Sequence, residues 1–585
     1  MAEPIDLLPP PPDGARITTT RGRTRPRAIA WFGFSSFWGH LRHLVAAAIA
    51  TENVDSRKWM VPDEPIELTE RILELLEAQG TARDASTLLQ ALGRDLWLDF
   101  VADTGDDVSV SERVAQLVTG TYRKDKDVIL PRGDVLMFGG DTAYPVATVR
   151  EITRRVLDPW NRVFEAADDQ KRRVLLAIPG NHDWYDGLDG FARLFQAPCA
   201  FEGERSADEA LHPRTSEFPL LDWAEAFTRG EARHKPGALA FFGYIAVQSA
   251  SYFRIPLGPG LELFAVDRQL RQIDERQKAY FDFPRTRARI LFLPDPARAW
   301  GETRPTGAQV LKELAIDASQ SPTLLVSGDV HHYERSEEGP SVHVVAGGGG
   351  AFLHGARVAK NGLYKMLAEF PGPKASARYL AELPLFVATG RAGLVLTSVL
   401  AFANFLALRA TFRWERETML AVATSIVVAF AVGAALLVGW RRHRMGRVVP
   451  FAILTGAIIG LLPLGLGVVA DRVAVSALGE SLGGRLGSFT LAWALATFVS
   501  GLAFGTMLAL IARLGLNHAQ PFAALGIPTY KHFVRFRFRA ENDETKVDGY
   551  VIGLVDPLSD AARPVLVDEF HFSSRRGATT EPRPS

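Results

Sequence analysis

Between residues 95 and 355 the chain alternates short apolar runs with polar, glycine-containing turns. The runs are "LWLDFVADTGD", "DVLMFGGDTAYP", "RRVLLAIPGNHD", "LELFAVDRQ", "ARILFLPDP", "PTLLVSGDVHHYER" and "SVHVVAGGGGAF". Apolar runs of this length, closed by Gly and Asp, predict buried strands. The stretches 145–170 and 268–282 between them predict helices. Strands alternating with helices predict an α+β domain whose polar loops gather at the strand ends, the edge of a sheet where ligands bind.

Beyond residue 385 the pattern changes to four long apolar runs, 385–408, 418–440, 449–470 and 488–512. Each is near the ~20 residues that a membrane-spanning helix requires. The second, "MLAVATSIVVAFAVGAALLVGW", holds no charge, and Arg391 in the first is close enough to its start to snorkel to the interface. Four spans predict an integral membrane protein with both soluble ends on one side. The loop 441–447, "RRHRMGR", carries four Arg and lies on that same side. The positive-inside rule therefore predicts that the soluble parts face the cytoplasm of a plasma or inner membrane.

The ends read differently. Residues 1–27 are Pro-rich and basic without an apolar segment behind the charges, which predicts a disordered arm rather than a secretory signal. Residues 28–94 contain two stretches with helical spacing, "FWGHLRHLVAAAIATENV" and "IELTERILELLEAQG". The first carries Trp38, Leu41 and Leu44, which suit packing on the next domain or contact with a membrane surface, and His40 and His43 read as surface or packing residues. Residues 513–572 predict a small C-terminal β module, with "HFVRFRFRA" as an edge or half-buried strand and "DGYVIGLVDP" as its hairpin partner. The tail 573–585 reads as disordered.

Charge and cysteine usage narrow the picture slightly. Lys+Arg and Asp+Glu each total 66, so the net charge is zero and no nucleic-acid partner is expected. The single cysteine, Cys199, cannot form an internal disulfide, in keeping with a reducing compartment.

The chemistry lies at the strand ends. Asp103 stands in "ADTGD", Asp141 and Tyr144 in "GGDTAYP", Asn181, His182 and Asp183 in "GNHD", and Asp329, His331 and His332 in "GDVHHYER". Each group follows an apolar run beside a glycine, which lets the backbone turn sharply. A turn requires Gly with Asn or Asp; it does not require a His between them. If the strands share a sheet, carboxylates, an amide oxygen and imidazoles converge into a shell suited to hard or borderline cations. One carboxylate can then bridge two metals for an in-line displacement. Tyr144 as phenolate is a hard ligand that suits Fe(III).

The ordered set "DTG", "GDTAY", "GNHD" and "GDVHHYER" resembles the calcineurin-like metallophosphoesterase superfamily, and within it most closely the purple acid phosphatase pattern. The resemblance covers roughly residues 95–355, inside a domain bounded at 95–384 that is joined to the spans, 385–512. It implies a β-sandwich flanked by helices, with a dinuclear centre of Fe, Mn or Zn at its edge. By resemblance Asp103, Tyr144 and His331 hold the first metal, Asp141 bridges, Asn181 binds the second, and His182 acts as general acid, steered by Asp183.

Two departures bear on the second metal. Asp329 stands where the pattern has the first His of its last motif, and the strand "ARILFLPDP" offers Pro294 and Asp295 where a lone His is expected. Asp295, Asp329, His332 and His354 are each candidates to fill the gap; His343 reads as a strand residue. The expected function is a membrane-anchored phosphohydrolase acting on a phosphorylated small molecule or lipid. The alternative is a degenerate relative that senses a phosphorylated ligand and regulates the membrane part. "GGGGAF", 347–352, lacks the Lys-Ser/Thr of a nucleotide loop and reads as the turn beyond the last site strand. The segment 200–236 reads as a lid or a surface excursion.

Overall fold

The computed structural model describes residues 3–15, 60–78, 80–167, 171–197, 238–269, 273–282, 288–359, 362–412, 416–438, 442–478 and 481–575. The helix expected around Trp38, with His40 and His43, and the segment 200–236 lie outside the described residues. The first sheet holds β1 (Leu96–Val101), β2 (Val135–Phe138), β3 (Arg173–Ala177) and β4 (Tyr244–Ala246), all parallel. The second holds β5 (Phe253–Gly258), β6 (Leu261–Ala265), β7 (Ala288–Leu293), β8 (Thr323–Ser327), β9 (Tyr333–Glu338), β10 (Ser341–Ala346) and β11 (Ala368–Phe370). Its four central strands, β6, β7, β8 and β10, are parallel.

Three further strands come from the far end of the chain. β12 (Lys531–Glu541), β13 (Glu544–Leu554) and β14 (Val565–Ser573) extend the first sheet to seven strands, in the order β14-β13-β12-β1-β2-β3-β4. The separate C-terminal module expected from the sequence is therefore not present. β12 is an internal strand, antiparallel to β1 with Val534 opposite Phe100. Local alternation cannot reveal a partner more than 400 residues away.

The period of two decides how the sheets pack. Leu96, Leu98 and Phe100 of β1 point inward with Ile290 and Phe292 of β7, Leu324 and Val326 of β8, and Phe536 of β12. Phe100 stacks on Phe292 across the two sheets, ring centroids 5.3 Å apart. The outward positions meet helices. On the first sheet Val101, Phe138 and Leu175 pack with α1 (Val108–Thr119) and α2 (Asp158–Ala166) through Val114 and Trp160. On the second, Phe264, Leu291 and Leu325 pack with Phe281, beside α3 (Glu275–Tyr280), and Val310 of α4 (Pro305–Glu313). The result is a sandwich of two sheets with helices outside both.

Part of the arm expected to be disordered is ordered. Ile5–Asp6 pairs with Tyr122–Arg123, and the Asp13 carboxylate accepts from the N–H groups of Lys374 and Ala375 at the start of α5 (Pro373–Ala388). An aspartate there complements the positive end of the helix.

The chain leaves the sandwich through α5 and runs through α6 (Leu394–Phe412), α7 (Arg416–Val438), α8 (Arg442–Leu478) and α9 (Leu482–Arg513). Two stretches, Val448–Ala477 and Leu482–Arg513, are long and apolar enough to cross a membrane; the apolar parts of α6 and α7 are shorter. The first apolar run is split: α5 ends at Ala388, and Arg391 lies in the break before α6, its guanidinium over the Phe386 ring. The basic stretch expected as a loop at 441–447 is helical from Arg442. Inside the bundle Asn404 donates to Ser500 at 3.1 Å, both fully buried.

Candidate metal centre and phosphoester site

The expected strand ends do share an edge. β1 ends at Val101, β2 at Phe138 and β3 at Ala177, in parallel register, and β8 of the facing sheet ends at Ser327. Asp103, Asp141 and Asp329 follow three of these ends with φ of 59°, 52° and 64°. Aspartate tolerates this left-handed conformation better than most residues, at a cost of about 1–2 kcal/mol each. Three such positions turn three carboxylates out of their strands into one cluster. Two glycines make room for it. A Cβ on Gly180 would lie 2.1 Å from Asp141 Oδ1, and one on Gly347 2.5 Å from Asp103 Oδ2. The Gly347 contact puts the "GGGG" turn against the cluster, and Ala351 N–H donates to the Asp103 carbonyl.

Three side chains meet around the Tyr144 hydroxyl. It lies 3.0 Å from Asp103 Oδ1, 3.4 Å from Asp141 Oδ2 and 3.2 Å from His331 Nε2; His331 Nε2 lies 3.5 Å from Asp103 Oδ1. Donor atoms about 2.0–2.2 Å from one shared cation stand roughly 3–3.5 Å from each other. The contacts between these four residues fall in that range. Leaving Tyr144 aside, no group of three or more His, Cys, Asp and Glu among the described residues stands in a metal-binding arrangement. The phenol oxygen is thus the hub of the set.

The ring of His331 is set as a ligand ring would be. Its Nδ1 is 2.8 Å from the Phe352 carbonyl, which can only accept, so Nδ1 carries the proton and Nε2 presents its lone pair. Burial, then the Lys531 charge, lowers its pKa to about 4, keeping the imidazole neutral. The carboxylates show the opposite effect. Burial and the neighbouring carboxylates hold Asp103 and Asp141 well above the usual range. Tyr144 is likewise raised, by burial and by Asp103 and Asp141. Without a cation this cluster resists its own ionisation; a cation would relieve it.

The "GNHD" turn forms a single helical turn, Asn181–Trp184. Asp183 does not steer His182. Its carboxylate accepts from Gly180 N–H at 2.9 Å and Thr142 N–H at 3.3 Å, so it fixes the backbone of two site loops. His182 is oriented by the Pro145 carbonyl, 2.6 Å from Nδ1, and its own N–H donates to Asp141 Oδ1 at 2.8 Å. The rings of Tyr144 and His182 meet edge to face, centroids 4.5 Å and planes 60° apart. Nδ1 therefore carries a proton, and Nε2 is the nitrogen that would exchange one with a substrate.

The remaining candidates divide. Asn181 is half-buried and donates to the Tyr185 hydroxyl at 2.7 Å. Asp329 donates its N–H to Asp103 Oδ2 at 2.9 Å, and its charge raises Asp103 and Asp295. Asp295 is buried and ion-paired with Arg268. Pro294 stands beside Gly140, at the place where a lone His was expected. His354 stacks flat on His331, centroids 4.0 Å apart, and its Nδ1 accepts from His331 N–H. It supports a ligand from behind. His332 points away: its Nε2 is 3.0 Å from Glu334, which also accepts from Trp300 N–H. His343 is a strand residue facing Glu338.

Three residues at the site were not nominated from the sequence. Pro145 orients His182. Lys531 of β12 is fully buried and donates to the Ala351 carbonyl. Arg268 follows β6 in "LFAVDRQ", the same strand-end position that marked the aspartates, and that signal was available.

No family model matches the chain, and no curated protein matches it. A solved structure described as "GAP50 the anchor in the inner membrane complex of Plasmodium" is similar at 10% identity and a TM-score of 0.28, over 47% of this chain and 78% of that one. A likeness at that score carries no argument about function.

Proposed function

We propose that the protein is a membrane-anchored, metal-dependent phosphoesterase of the calcineurin-like type. The observation that carries this reading is the meeting of Asp103, Asp141 and His331 donor atoms around Tyr144 within 3.0–3.5 Å. When bound there, Fe, Mn or Zn would supply a Lewis acid for the phosphoryl oxygens and an acidified water. The chain's own part is positional. Burial makes ionised Tyr144, Asp103 and Asp141 costly on their own, so a cation that lets them ionise is favoured there. His182, fixed through Nδ1, offers Nε2 to donate a proton to the leaving oxygen.

The anchor reading adds α6 and α7 to the two long apolar helices, giving four spans. Large apolar side chains such as Leu394, Phe402, Leu420, Leu461 and Leu491 face outward from the bundle, as they would toward lipid. The arginines of 441–447 favour a cytoplasmic site, and a phosphorylated small molecule or lipid headgroup is the substrate class. One observation favours a second reading, a phospho-ligand sensor without turnover: Asp295 is occupied by Arg268, and Pro294 offers no donor.

The test uses full-length protein in detergent with a chromogenic phosphomonoester and diester and Mn, Fe, Zn or Mg. Metal-dependent turnover lost in His182→Ala and Asp141→Asn supports the hydrolase. Metal binding without turnover on any ester supports the sensor. A visible charge-transfer band in the iron form would mark Tyr144 as a ligand.

A further inference from the structure

A dinuclear centre would need a second cation sharing Asp141, with Asn181 and donors from the ends of β7 and β8. The end of β7 does not supply them. Pro294 has no donor, and a Cβ on Gly140 would lie 3.4 Å from its ring, so it fills space next to Asp141. Asp295 is 6% exposed and its carboxylate is engaged by the Arg268 guanidinium. Asn181 gives its amide N–H to Tyr185 at 2.7 Å, and Trp184 of the same turn donates from Nε1 to Asp267, next to Arg268, at 2.9 Å. Arg268, Asp295, Tyr185 and Asn181 are therefore one neighbourhood, and its positive charge is a protein side chain.

We propose that the chain binds a single metal ion, at Asp103, Asp141, Tyr144 and His331. The Arg268 guanidinium, held by Asp295 beside Asn181, supplies the second positive charge and binds the phosphoryl oxygens of the ligand. This rests on the metal reading of the first position. The chemistry suits the residue. A guanidinium presents a fixed fork of N–H donors that matches phosphate oxygens, and it keeps its charge at any working pH. Asp295 meets the fork at Nε, and no other carboxylate among the described residues is ion-paired with Arg268. Turnover and sensing alike require phosphate at this position.

The test counts metal and measures phosphate binding separately. Full-length protein in detergent is stripped, reloaded with Mn(II) or Zn(II), and assayed for metal per chain by mass spectrometry. Inorganic phosphate is then titrated calorimetrically into the loaded protein. The expected result is one ion per chain in the wild type and in Arg268→Ala. Phosphate affinity should fall about tenfold or more in Arg268→Ala and be partly recovered in Arg268→Lys. If Arg268→Ala fails to fold, Asp295→Asn serves instead, and the metal count should stay at one. Two ions per chain in the wild type, a count lowered by Asp295→Asn, or unchanged phosphate affinity in Arg268→Ala overturns the proposal. No ion at all in the wild type overturns this proposal and the metal reading together.

Discussion

Asp99 and Asp103 lie four residues apart on and just beyond the same strand, both buried, and the protein treats them in opposite ways. Asp99 is neutralised from within. Its two oxygens meet Arg535 Nε at 2.6 Å and Nη2 at 2.9 Å, and Oδ2 also accepts from Gly133 N–H. The guanidinium in turn donates to the carbonyls of Gly120, Leu130 and Val118. Asp103 faces a phenol, a backbone N–H and an imidazole, and no Lys or Arg among the described residues forms an ion pair with it. A carboxylate that ties the C-terminal strands into the sheet carries its counter-ion with it. A carboxylate at the strand end is left without one, amid others that repel it. Asp295 falls between these cases: it sits at the site, and its counter-ion is the Arg268 side chain.

The largest expected effect comes from removing the unpaired carboxylate's task. Asp103→Asn should abolish metal retention and lower ester hydrolysis by at least ~10³-fold, measured as turnover per chain. His182→Ala should lower turnover by about 10²–10⁴-fold while the metal content stays at the wild-type value. If His182→Ala lost the metal as well, His182 would be a ligand and not the proton donor.

Stability gives a sharper contrast between the two aspartates. Asp99→Asn leaves Arg535 buried and unpaired, and should destabilise the protein by about 3–5 kcal/mol, read as a lower thermal midpoint. Asp103→Asn should raise the midpoint of the metal-free protein, because it removes a charge that burial and its neighbours disfavour. Destabilisation of similar size in both variants would erase the distinction drawn between them.

The smallest effect concerns His532, one residue past Lys531. It is fully buried, neither ring nitrogen has a hydrogen-bond partner among the described residues, and burial and Lys531 lower its pKa to about 3. The unfolded chain protonates a histidine near 6.5, so below that pH the unfolded state takes up a proton the folded state refuses. Stability should therefore fall as pH drops from about 6.5 toward 3, by at most about 1.4 kcal/mol per pH unit. His532→Phe should flatten that slope in denaturation profiles; an unchanged slope would show that other groups set it.

These contrasts also explain what the sequence made visible. A strand end marked by Gly and Asp is a local signal, and Asp103, Asp141, Tyr144 and His331 were legible because each lies within a few residues of its strand. Arg535 was not. In "HFVRFRFRA" it reads as one of several solvated basic residues, and only pairing with β1 turns it inward onto Asp99. The resemblance implies that Asp183 steers His182, but a carboxylate at the third position of a helical turn reaches back to the N–H groups at its start. His332 is a candidate to fill the second-metal gap, yet its Nε2 turns to Glu334, a contact that no local pattern announces. The join of the C-terminal strands to the first sheet depends on pairing across the whole membrane segment, and local periodicity holds no record of it.

The central proposal is that Asp103 and Asp141 lack an internal counter-ion because their place is to hold a metal ion. The most direct measurement is calorimetric titration of Mn(II) or Zn(II) into metal-stripped full-length protein and into Asp103→Asn. Saturable binding in the wild type that disappears in Asp103→Asn is the predicted result. No binding in the wild type, or equal binding in both, would contradict it.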